Sequence, residues 1–435
     1  MSELVSSIKR ISKKYNYLED YRDILWEIFD NKRVKEEHFK NVSVGLFNIP
    51  CGGFGDIIIC KTFYDYIKNW YPGIKVSICS TTPEKYKDLG IDGTIHKLHI
   101  KNKSSYDDDE CKRFDHVVLK RKLKFDIMIV VPVINEPLNM NQFKKLIPYA
   151  NVSNTFTMGE YNGEVGPYTF PTGVGEYNLG LLFNKYPIKQ QTLIKKPFAM
   201  IYIQPPPNWG HRSKYCFLSY MEMICKKYRD KHPTLSVIVQ DWITDDLLDD
   251  TNLFYKLRKI ISKSYDSFDI VTNDETQTFI INKKQKPKSK IIFRGDILPQ
   301  KREIFISLMK DSLPDILVTG DQSITDVFSC CKRKQVWYQI APWKKEFSEE
   351  LAKHLPNQYY QTFKTSCGTL KSIKQDTDWK QFMKQYDFRV HGRKRMDAVL
   401  LSVYHMKREP VLQQLIPIIE KSRYIETAQE KINQL

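Results

Sequence analysis

A glycine-rich turn that ends in an aspartate is the first feature of the sequence whose residues could do chemistry. It covers residues 51–56, with the letters CGGFGD, directly after a run of β-forming residues. Glycines let the backbone approach a ligand closely, and the start of a following helix favours negative charge. A dinucleotide fingerprint would need glycine where Ile58 stands, and no GK[ST] follows for a P-loop. Asp56 has two open interpretations, a helix cap or a general base.

Arg212, Ser213 and Lys214 form a second group, after a strand-like run over 198–204. A helix is predicted to follow them over 217–230. Lys supplies a mobile point charge and Arg can bind an anion through two hydrogen bonds, so the turn suits a diphosphate. The alternative is that these residues are surface charges on a loop.

A third group, Thr319–Ser323, follows another strand-like run and precedes a helix predicted over 324–331. Gly320 permits a tight turn, and Ser323 with the free N–H groups of the helix start forms an anion site. Asp321 or Gln322 can hydrogen-bond sugar hydroxyls. The alternative is that Ser323 is only the cap of its helix.

Metal and hydrolase chemistry find little support in the sequence. The letters of a DxD-type metal site occur at Asp107–Asp109, but in a polar loop without an adjoining strand. HExxH, HxxxH and GxSxG are all absent, and we predict no metal site. The nine cysteines include no CxxC pair, so we expect reduced thiols and a cytoplasmic protein.

Alternating strands and helices must position these groups. The chain has 435 residues, 41% hydrophobic, and a net charge of +17, which fits two or three domains with sizeable cores and excludes general disorder. The pattern of strand, tight turn, helix and strand ends near residue 190 and then starts again. This repetition predicts two parallel sheets. No apolar run reaches the roughly 18 residues of a transmembrane helix, and no signal peptide is recognised.

We predict four segments from this pattern. A helical segment occupies 1–41, and a Rossmann-like domain that binds the acceptor occupies 42–190. A second Rossmann-like domain, which binds the donor, occupies 191–388. Helices that pack across both domains occupy 389–435.

The order of these parts resembles that of GT-B glycosyltransferases, α/β proteins whose two Rossmann-like doubly wound domains face a cleft. Phe54-Gly55-Asp56 resembles the first turn of bacterial protein-arginine rhamnosyltransferases, and bacterial lipopolysaccharide heptosyltransferases carry a Gly-Asp pair there with a catalytic Asp. Residues 297–300 (ILPQ), 319–323 and 336–340 (VWYQI) are similar in order and spacing to the rhamnosyltransferases. Residues 172–175 (TGVG) resemble their Thr-Gly-Gly segment.

The resemblance, which spans about residues 42–350, implies a nucleotide-diphospho-sugar donor held by the second domain. It implies Asp56 as catalytic base, with Asp321 also catalytic, near the sugar or the phosphates. The residues that it implies at the donor are Arg212, Ser213, Lys214, Phe293, Gln300, Gly320, Gln322 and Ser323. Those that it implies in the acceptor loop are Gly53, Phe54, Gly55, Thr172 and Gly173.

The predicted function is a metal-independent, inverting glycosyltransferase that uses a nucleotide sugar as co-substrate and needs no cofactor. Its acceptor is a protein side chain, a glycan or another molecule. One alternative is a nucleic-acid-binding or scaffold protein with a degenerate transferase fold, suggested by basic runs at 120–124 and 283–290. We do not favour it, because core packing explains the aromatic residues and no nucleic-acid motif is present. A nucleotide-sugar epimerase is the third possibility.

Overall fold

The structure, a computed structural model of the chain, divides into two units. Unit 1 comprises Met1–Leu182 with Gln385–Leu435, and unit 2 comprises Phe183–Lys384. The residues that the structure describes are 6–7, 10, 21–50, 54–91, 93–100, 117–119, 123–133, 149–150, 154–163, 165–166, 168–186, 188–205, 212–281, 287–340, 344–355, 360–375, 379–410 and 413.

The described strands and helices alternate along most of the chain. The strands are β1 (Ser43–Asn48), β2 (Lys75–Ser80), β3 (Thr94–Ile100), β4 (Val117–Leu119), β5 (Ile127–Val133), β6 (Thr155–Gly159), β7 (Phe198–Tyr202), β8 (Thr234–Ile238), β9 (Ser267–Val271), β10 (Thr276–Ile280), β11 (Lys290–Arg294), β12 (Asp315–Thr319), β13 (Gln335–Gln339), β14 (Tyr360–Lys364) and β15 (Thr369–Lys374). The helices are α1 (Tyr21–Phe29), α2 (Glu36–Phe39), α3 (Phe54–Trp70), α4 (Pro83–Asp88), α5 (Arg212–Tyr228), α6 (Asp241–Asp249), α7 (Thr251–Ile261), α8 (Arg302–Asp311), α9 (Asp321–Cys330), α10 (Lys345–His354), α11 (Trp379–Gln385) and α12 (Phe388–Met406).

Unit 1 holds a six-stranded sheet in the order β4-β3-β2-β1-β5-β6. Its strands are parallel except for β4, which runs antiparallel to β3. Residues 127–131 of β5 are all buried, because apolar side chains fill both faces of this inner strand. Such continuous burial is typical of a parallel sheet that is covered on both sides.

Helix α12 joins unit 1 from the far end of the sequence. The ring of Phe388 is fully buried, and its centroid lies 5.9, 6.1 and 6.4 Å from the rings of Phe63, Tyr66 and Trp70 in α3. A Cβ on Gly392, one turn further along, would lie 2.3 Å from the Phe388 ring, so glycine makes room for it. Helices α1 and α2 pack on α12 in turn. The core of unit 1 therefore needs both of its chain segments.

Unit 2 holds a nine-stranded sheet in the order β10-β9-β11-β8-β7-β12-β13-β15-β14. The six strands from β9 to β13 in this order are parallel, and antiparallel strands extend the sheet at both edges. Helix α5 covers one face with Phe217, Met221 and Ile224, which are buried against the apolar residues of β8 and β11. The two sheets confirm the predicted α/β class with two Rossmann-like doubly wound units.

The limits of the two units differ from the predicted domain limits. The chain passes from unit 1 to unit 2 after residue 182 rather than 190, and returns after residue 384 rather than 388. Helix α12 belongs to unit 1. The packing of residues 389–435 across both domains stays a prediction.

The antiparallel hairpin of β14 and β15, which lies between α10 and α11, was not predicted. Two helices also begin earlier than predicted, α5 at Arg212 and α9 at Asp321. The groups predicted to lie on turns before these helices therefore lie in their first turns. Ser323 is not a cap, since Gly320 holds that position.

None of the helices described above has both the length and the apolar character needed to cross a bilayer.

Candidate functional site

The strand order of unit 1 reverses at β1, the strand that precedes the glycine-rich segment in the sequence. The chain runs from β1 to β2 and β3 on one side, and later adds β5 and β6 on the other. Open α/β sheets bind ligands outside the carboxyl ends of their strands at such a switch point. Helix α3 begins there, and Asp56 is its third residue. The fold thus places Asp56 where sheets of this kind bind ligands.

Asn48, the last residue of β1, holds this switch point together and is fully buried. Its Nδ2 donates to the main-chain oxygen of Val131 in β5 at 2.8 Å and to that of Asp56 at 3.3 Å. Its Oδ1 accepts from the hydroxyl of Tyr86 at 2.5 Å and from that of Ser80 at 3.4 Å. One amide therefore connects β1, β5, β2 and α4 to the first turn of α3.

The first turn of α3 has exposed surface. The Phe54 side chain is 46% exposed, and a Cβ on Gly55 would meet no heavy atom of the described residues within 4 Å. Asp56 itself is half-buried. Burial raises the pKa of Tyr86 well above its usual value, and the nearby Asp56 carboxylate adds to the shift. Tyr86 is therefore a neutral phenol beside Asp56.

Thr172 and Gly173, predicted in the acceptor loop, lie in a loop that folds around Asn162. The Thr172 hydroxyl donates to the main-chain oxygen of Gly159 at 2.9 Å. Gly173 has φ 127°, and a Cβ there would lie 2.3 Å from Asn162 Oδ1, so the loop requires glycine. These contacts stabilise the loop, and the acceptor contact stays a prediction. Gly53 lies outside the described residues.

The strand order of unit 2 reverses at β7, between β8 on one side and β12 on the other. Helix α5 is the next described element after β7, and helix α9 directly follows β12. Both helices start at the carboxyl end of the sheet, so the switch point brings Arg212 and Ser213 to the same edge as Asp321, Gln322 and Ser323. Two helix starts at one edge form a site that favours an anion.

Gln339, the last residue of β13, connects the parts of this edge and is buried. Its Nε2 donates to the hydroxyl of Ser213 at 3.2 Å, and its Oε1 accepts from the main-chain N–H of Gln204 at 2.9 Å. Its main-chain oxygen accepts from the Thr319 hydroxyl at 3.3 Å. Ser213, which was predicted to bind the donor, is fully buried, and its hydroxyl accepts this structural hydrogen bond from Gln339.

The start of α9 is open on one side and charge-compensated on the other. Gly320 has φ 74° and ψ 158°, which only glycine adopts readily, and a Cβ there would meet no atom within 4 Å in the part of the chain that the structure describes. Lys344 Nζ lies 2.7 Å from Asp321 Oδ2, and each residue is 5% exposed. The ammonium group compensates the carboxylate at the helix start, where an uncompensated negative charge would repel a diphosphate.

A second buried polar cluster lies one turn along α9. Gln322 Nε2 donates to Asp326 Oδ1 at 2.9 Å and to the hydroxyl of Tyr186 at 3.3 Å. The Arg302 guanidinium is paired with Asp326 Oδ2 and lies over the Tyr186 ring, 4.9 Å from its centroid. Burial raises the pKa of Asp326, and the pairing with Arg302 opposes the shift.

The contacts of Lys214 do not support its predicted role at the diphosphate. Its Nζ donates to Asp250 Oδ2 at 2.9 Å and lies 3.3 Å from Asp246 Oδ2. Although burial lowers the pKa of Lys214, the hydrogen bonds to Asp250 and Asp246 raise it overall. Its charge is compensated between α5, α6 and α7. Arg212, by contrast, is exposed at the first position of α5.

Phe293 is a core residue, which corrects its prediction as a donor contact. It is fully buried in the middle of β11, with its ring centroid 6.1 Å from Phe217 and 6.2 Å from Phe268. Gln300, predicted near it, is half-buried, and its Nε2 donates to the main-chain oxygen of Ile297 at 2.7 Å. That hydrogen bond closes the turn after β11. The contact of Gln300 with the donor stays a prediction.

Three residues of the two sites were not predicted from the sequence. Asn48 ends a strand-like run, and an amide there is a weak signal of a connection between strands. Gln339 lies within residues 336–340, a segment that was noted only for its similarity to the rhamnosyltransferases. Lys344 begins a short charged run, residues 344–346, and gives no signal, because its burial depends on a partner 23 residues away.

No three His, Cys, Asp or Glu side chains gather as metal ligands in the part of the chain that the structure describes. Asp107–Asp109 lie outside it.

Comparisons with known proteins find a likeness to solved structures. No protein-family model matches the sequence, and no curated protein matches it. The chain is similar to a crystal structure of MurG from Acinetobacter baumannii, with 9% sequence identity and a TM-score of 0.34, over 87% of this chain and 99% of that chain. At this identity and TM-score the likeness carries no argument about activity, and the fold class stated above rests on the strand order.

Proposed function

We propose that this protein is a metal-independent, inverting glycosyltransferase of the GT-B type. It takes a sugar from a nucleotide-diphospho donor bound by unit 2 and transfers it to an acceptor bound by unit 1. The observation that carries the proposal is that each of two doubly wound sheets has a motif at its topological switch point. Asp56 lies at one of them, and residues 320–323 lie at the other.

The chemistry at unit 2 fits the departure of a nucleoside diphosphate. Negative charge develops on the leaving group, and groups that are already oriented towards it stabilise that charge at little reorganisation cost. The starts of α5 and α9 supply N–H groups and the positive ends of two helix dipoles. Arg212 adds a mobile cation, while Lys344 compensates Asp321.

The chemistry at unit 1 fits activation of the acceptor. Asp56 is half-buried on a helix start that Asn48 holds in place, and a carboxylate there accepts the proton of an attacking hydroxyl or amine. Direct attack on the anomeric carbon inverts its configuration. The exposed Phe54 ring offers an apolar surface for the acceptor.

The first experiment is thermal unfolding of the full chain with UDP, GDP, ADP, CDP, dTDP and their sugars, with and without Mg²⁺. A ligand that binds only the native state raises the melting temperature. We expect one diphosphate to do so equally with and without the metal. If none does with the folded protein, the proposal fails and the nucleic-acid or scaffold hypothesis gains ground.

We predict that Asp56→Asn lowers turnover about 10²- to 10⁴-fold, the usual contribution of a general base. Donor binding should stay unchanged, because unit 2 is untouched. The measurement is product formation and release of nucleoside diphosphate, with the donor identified above. The control is Asp65→Asn on the same helix, whose carboxylate pairs with Lys61. Full activity of Asp56→Asn would rule out its role as the base.

A further inference from the structure

The side-chain amide of Gln322 has only one possible orientation. One of the two polar atoms of this amide lies 2.9 Å from Asp326 Oδ1. The other carboxylate oxygen, Asp326 Oδ2, is already paired with the Arg302 guanidinium. A carboxylate accepts hydrogen bonds and donates none, so the Gln322 group that faces it must be the N–H₂. The second N–H points to the Tyr186 hydroxyl at 3.3 Å. Both protons of the amide are thus committed.

The pairing that orients Gln322 is well fixed. Asp326 is fully buried, and Arg302 stacks over the ring of Tyr186 as well as pairing with the carboxylate. Rotation of the amide by 180° would place its oxygen against a carboxylate oxygen in a region of low dielectric, which is strongly unfavourable. The amide oxygen, Oε1, therefore faces away from the cluster.

Gln322 Oε1 is left without a hydrogen-bond donor among the described residues. The residue is 7% exposed, and this oxygen is buried. A buried acceptor without a partner costs about 1–3 kcal/mol, and such groups call for an explanation. Gln322 is the second residue of α9, next to the open space at Gly320, at the switch point of unit 2. A ligand that occupies this open space can supply the missing donor.

We propose, resting on the proposed function, that Gln322 recognises a hydroxyl of the nucleotide-sugar donor and does not bind its phosphates. Its Oε1 accepts a hydrogen bond from that hydroxyl. Phosphate oxygens are acceptors, and they would face Oε1 with like partial charge. This differs from the position that the resemblance implies for Gln322, at the diphosphate. The diphosphate is then left to the helix N–H groups and to Arg212.

The hydroxyl comes either from the ribose or from the transferred sugar, and the ligand set separates the two. With the nucleoside diphosphate that binds best, calorimetry compares the parent with its 2′-deoxy or 3′-deoxy analogue, the matching nucleotide sugar and inorganic pyrophosphate. The variant is Gln322→Met, close in shape but without the amide. The control is Gln335→Met. Gln335 is the first residue of β13, at the other end of the strand from Gln339, and its side-chain amide donates hydrogen bonds to Gln361 and Ser372.

We expect Gln322→Met to weaken binding of the hydroxyl-bearing ligand about fivefold to tenfold, the worth of one hydrogen bond to a buried acceptor. Binding of the analogue that lacks this hydroxyl, and of pyrophosphate, should not change. A loss already present with the nucleoside diphosphate assigns the ribose, and a loss only with the nucleotide sugar assigns the transferred sugar. Gln335→Met should bind all ligands like the wild type.

Two results would overturn the inference. One is an equal loss for every ligand including pyrophosphate, which would return Gln322 to the phosphates. The other is no loss for any ligand. If Gln322→Met does not fold, Gln322→Asn keeps an amide and withdraws its oxygen by one methylene, and the same comparison applies. Failure of the wild type to bind any nucleotide is a separate outcome, which rejects the proposed function itself.

Discussion

At the scale of single residues, buried amides do more of the positioning than charges do. Asn48 in unit 1 and Gln339 in unit 2 each end a strand and bond to several neighbouring elements at a switch point. An amide can donate and accept at once, and it carries no charge that burial would penalise. Each amide therefore holds a helix start in place and leaves the charge of the site to other groups.

We predict that Asn48→Ala lowers the free energy of unfolding by about 2–4 kcal/mol, because it leaves buried polar groups of Tyr86 and Val131 unpaired. The measurement is urea unfolding followed by tryptophan fluorescence. The same substitution at the exposed Asn252 is the control, with an expected effect within about 0.5 kcal/mol. A loss at Asn48 no larger than at Asn252 would show that its hydrogen bonds do not matter.

The position of a residue at a helix start could be predicted where local sequence determines it, and not where distant contacts do. Asp56 and Asp321 stand at strand-to-helix boundaries that apolar runs and glycines make visible. Phe293 lies in the centre of an apolar strand, and its position in the core follows from that pattern better than from any resemblance. The burial of Lys344 and the carboxylate partners of Lys214 depend on residues that only the folded chain brings near.

At the scale of elements, the candidate sites are the first turns of helices rather than the loops before them. Helices α5 and α9 begin up to five residues earlier than the sequence pattern suggested. Polar first turns such as 212–214 and 321–323 resemble loops in composition, so hydrophobic periodicity starts only after them. The parallel strands were predictable because apolar residues occupy both faces, whereas the polar edge hairpin of β14 and β15 was not.

The turn between β12 and α9 gives a prediction at this scale. Gly320→Ala should destabilise the protein by about 1–3 kcal/mol, because its φ of 74° with ψ of 158° strains any residue with a Cβ. Gly55→Ala at the start of α3 is the matched control, since space is equally open there and a helical position favours Ala over Gly. The measurement is the unfolding midpoint of each variant. Equal midpoints for the two variants would contradict the argument.

At the scale of the whole molecule, the two units differ in how the chain builds them. Unit 2 is one continuous segment, Phe183–Lys384, whereas unit 1 is assembled from the segments on both sides of it. Parts of a chain that have their own hydrophobic core commonly fold as units. The stability of unit 1 therefore depends on α12, and that of unit 2 does not.

We predict that removal of residues 385–435 unfolds unit 1 and leaves unit 2 folded. The deletion removes Phe388 from its contacts with the aromatic residues of α3. Hydrogen exchange with peptide-level mass spectrometry should show lost protection in β1, β2 and β5 and retained protection in β7, β8 and β12. Any nucleotide that binds the full chain should still bind. Uniform loss of protection in both units would show that they fold together.

The late position of α12 also sets an order of events during synthesis. The ribosome releases β6, the last strand of the unit 1 sheet, 229 residues before it releases Phe388, at a pace of about 5–20 residues per second. For about ten seconds or more, the faces of Phe63, Tyr66 and Trp70 that later meet Phe388 lack that ring, while the ribosome makes the whole of unit 2. Unit 1 begins first along the chain, yet its core is complete only after the sequence of unit 2 has been made.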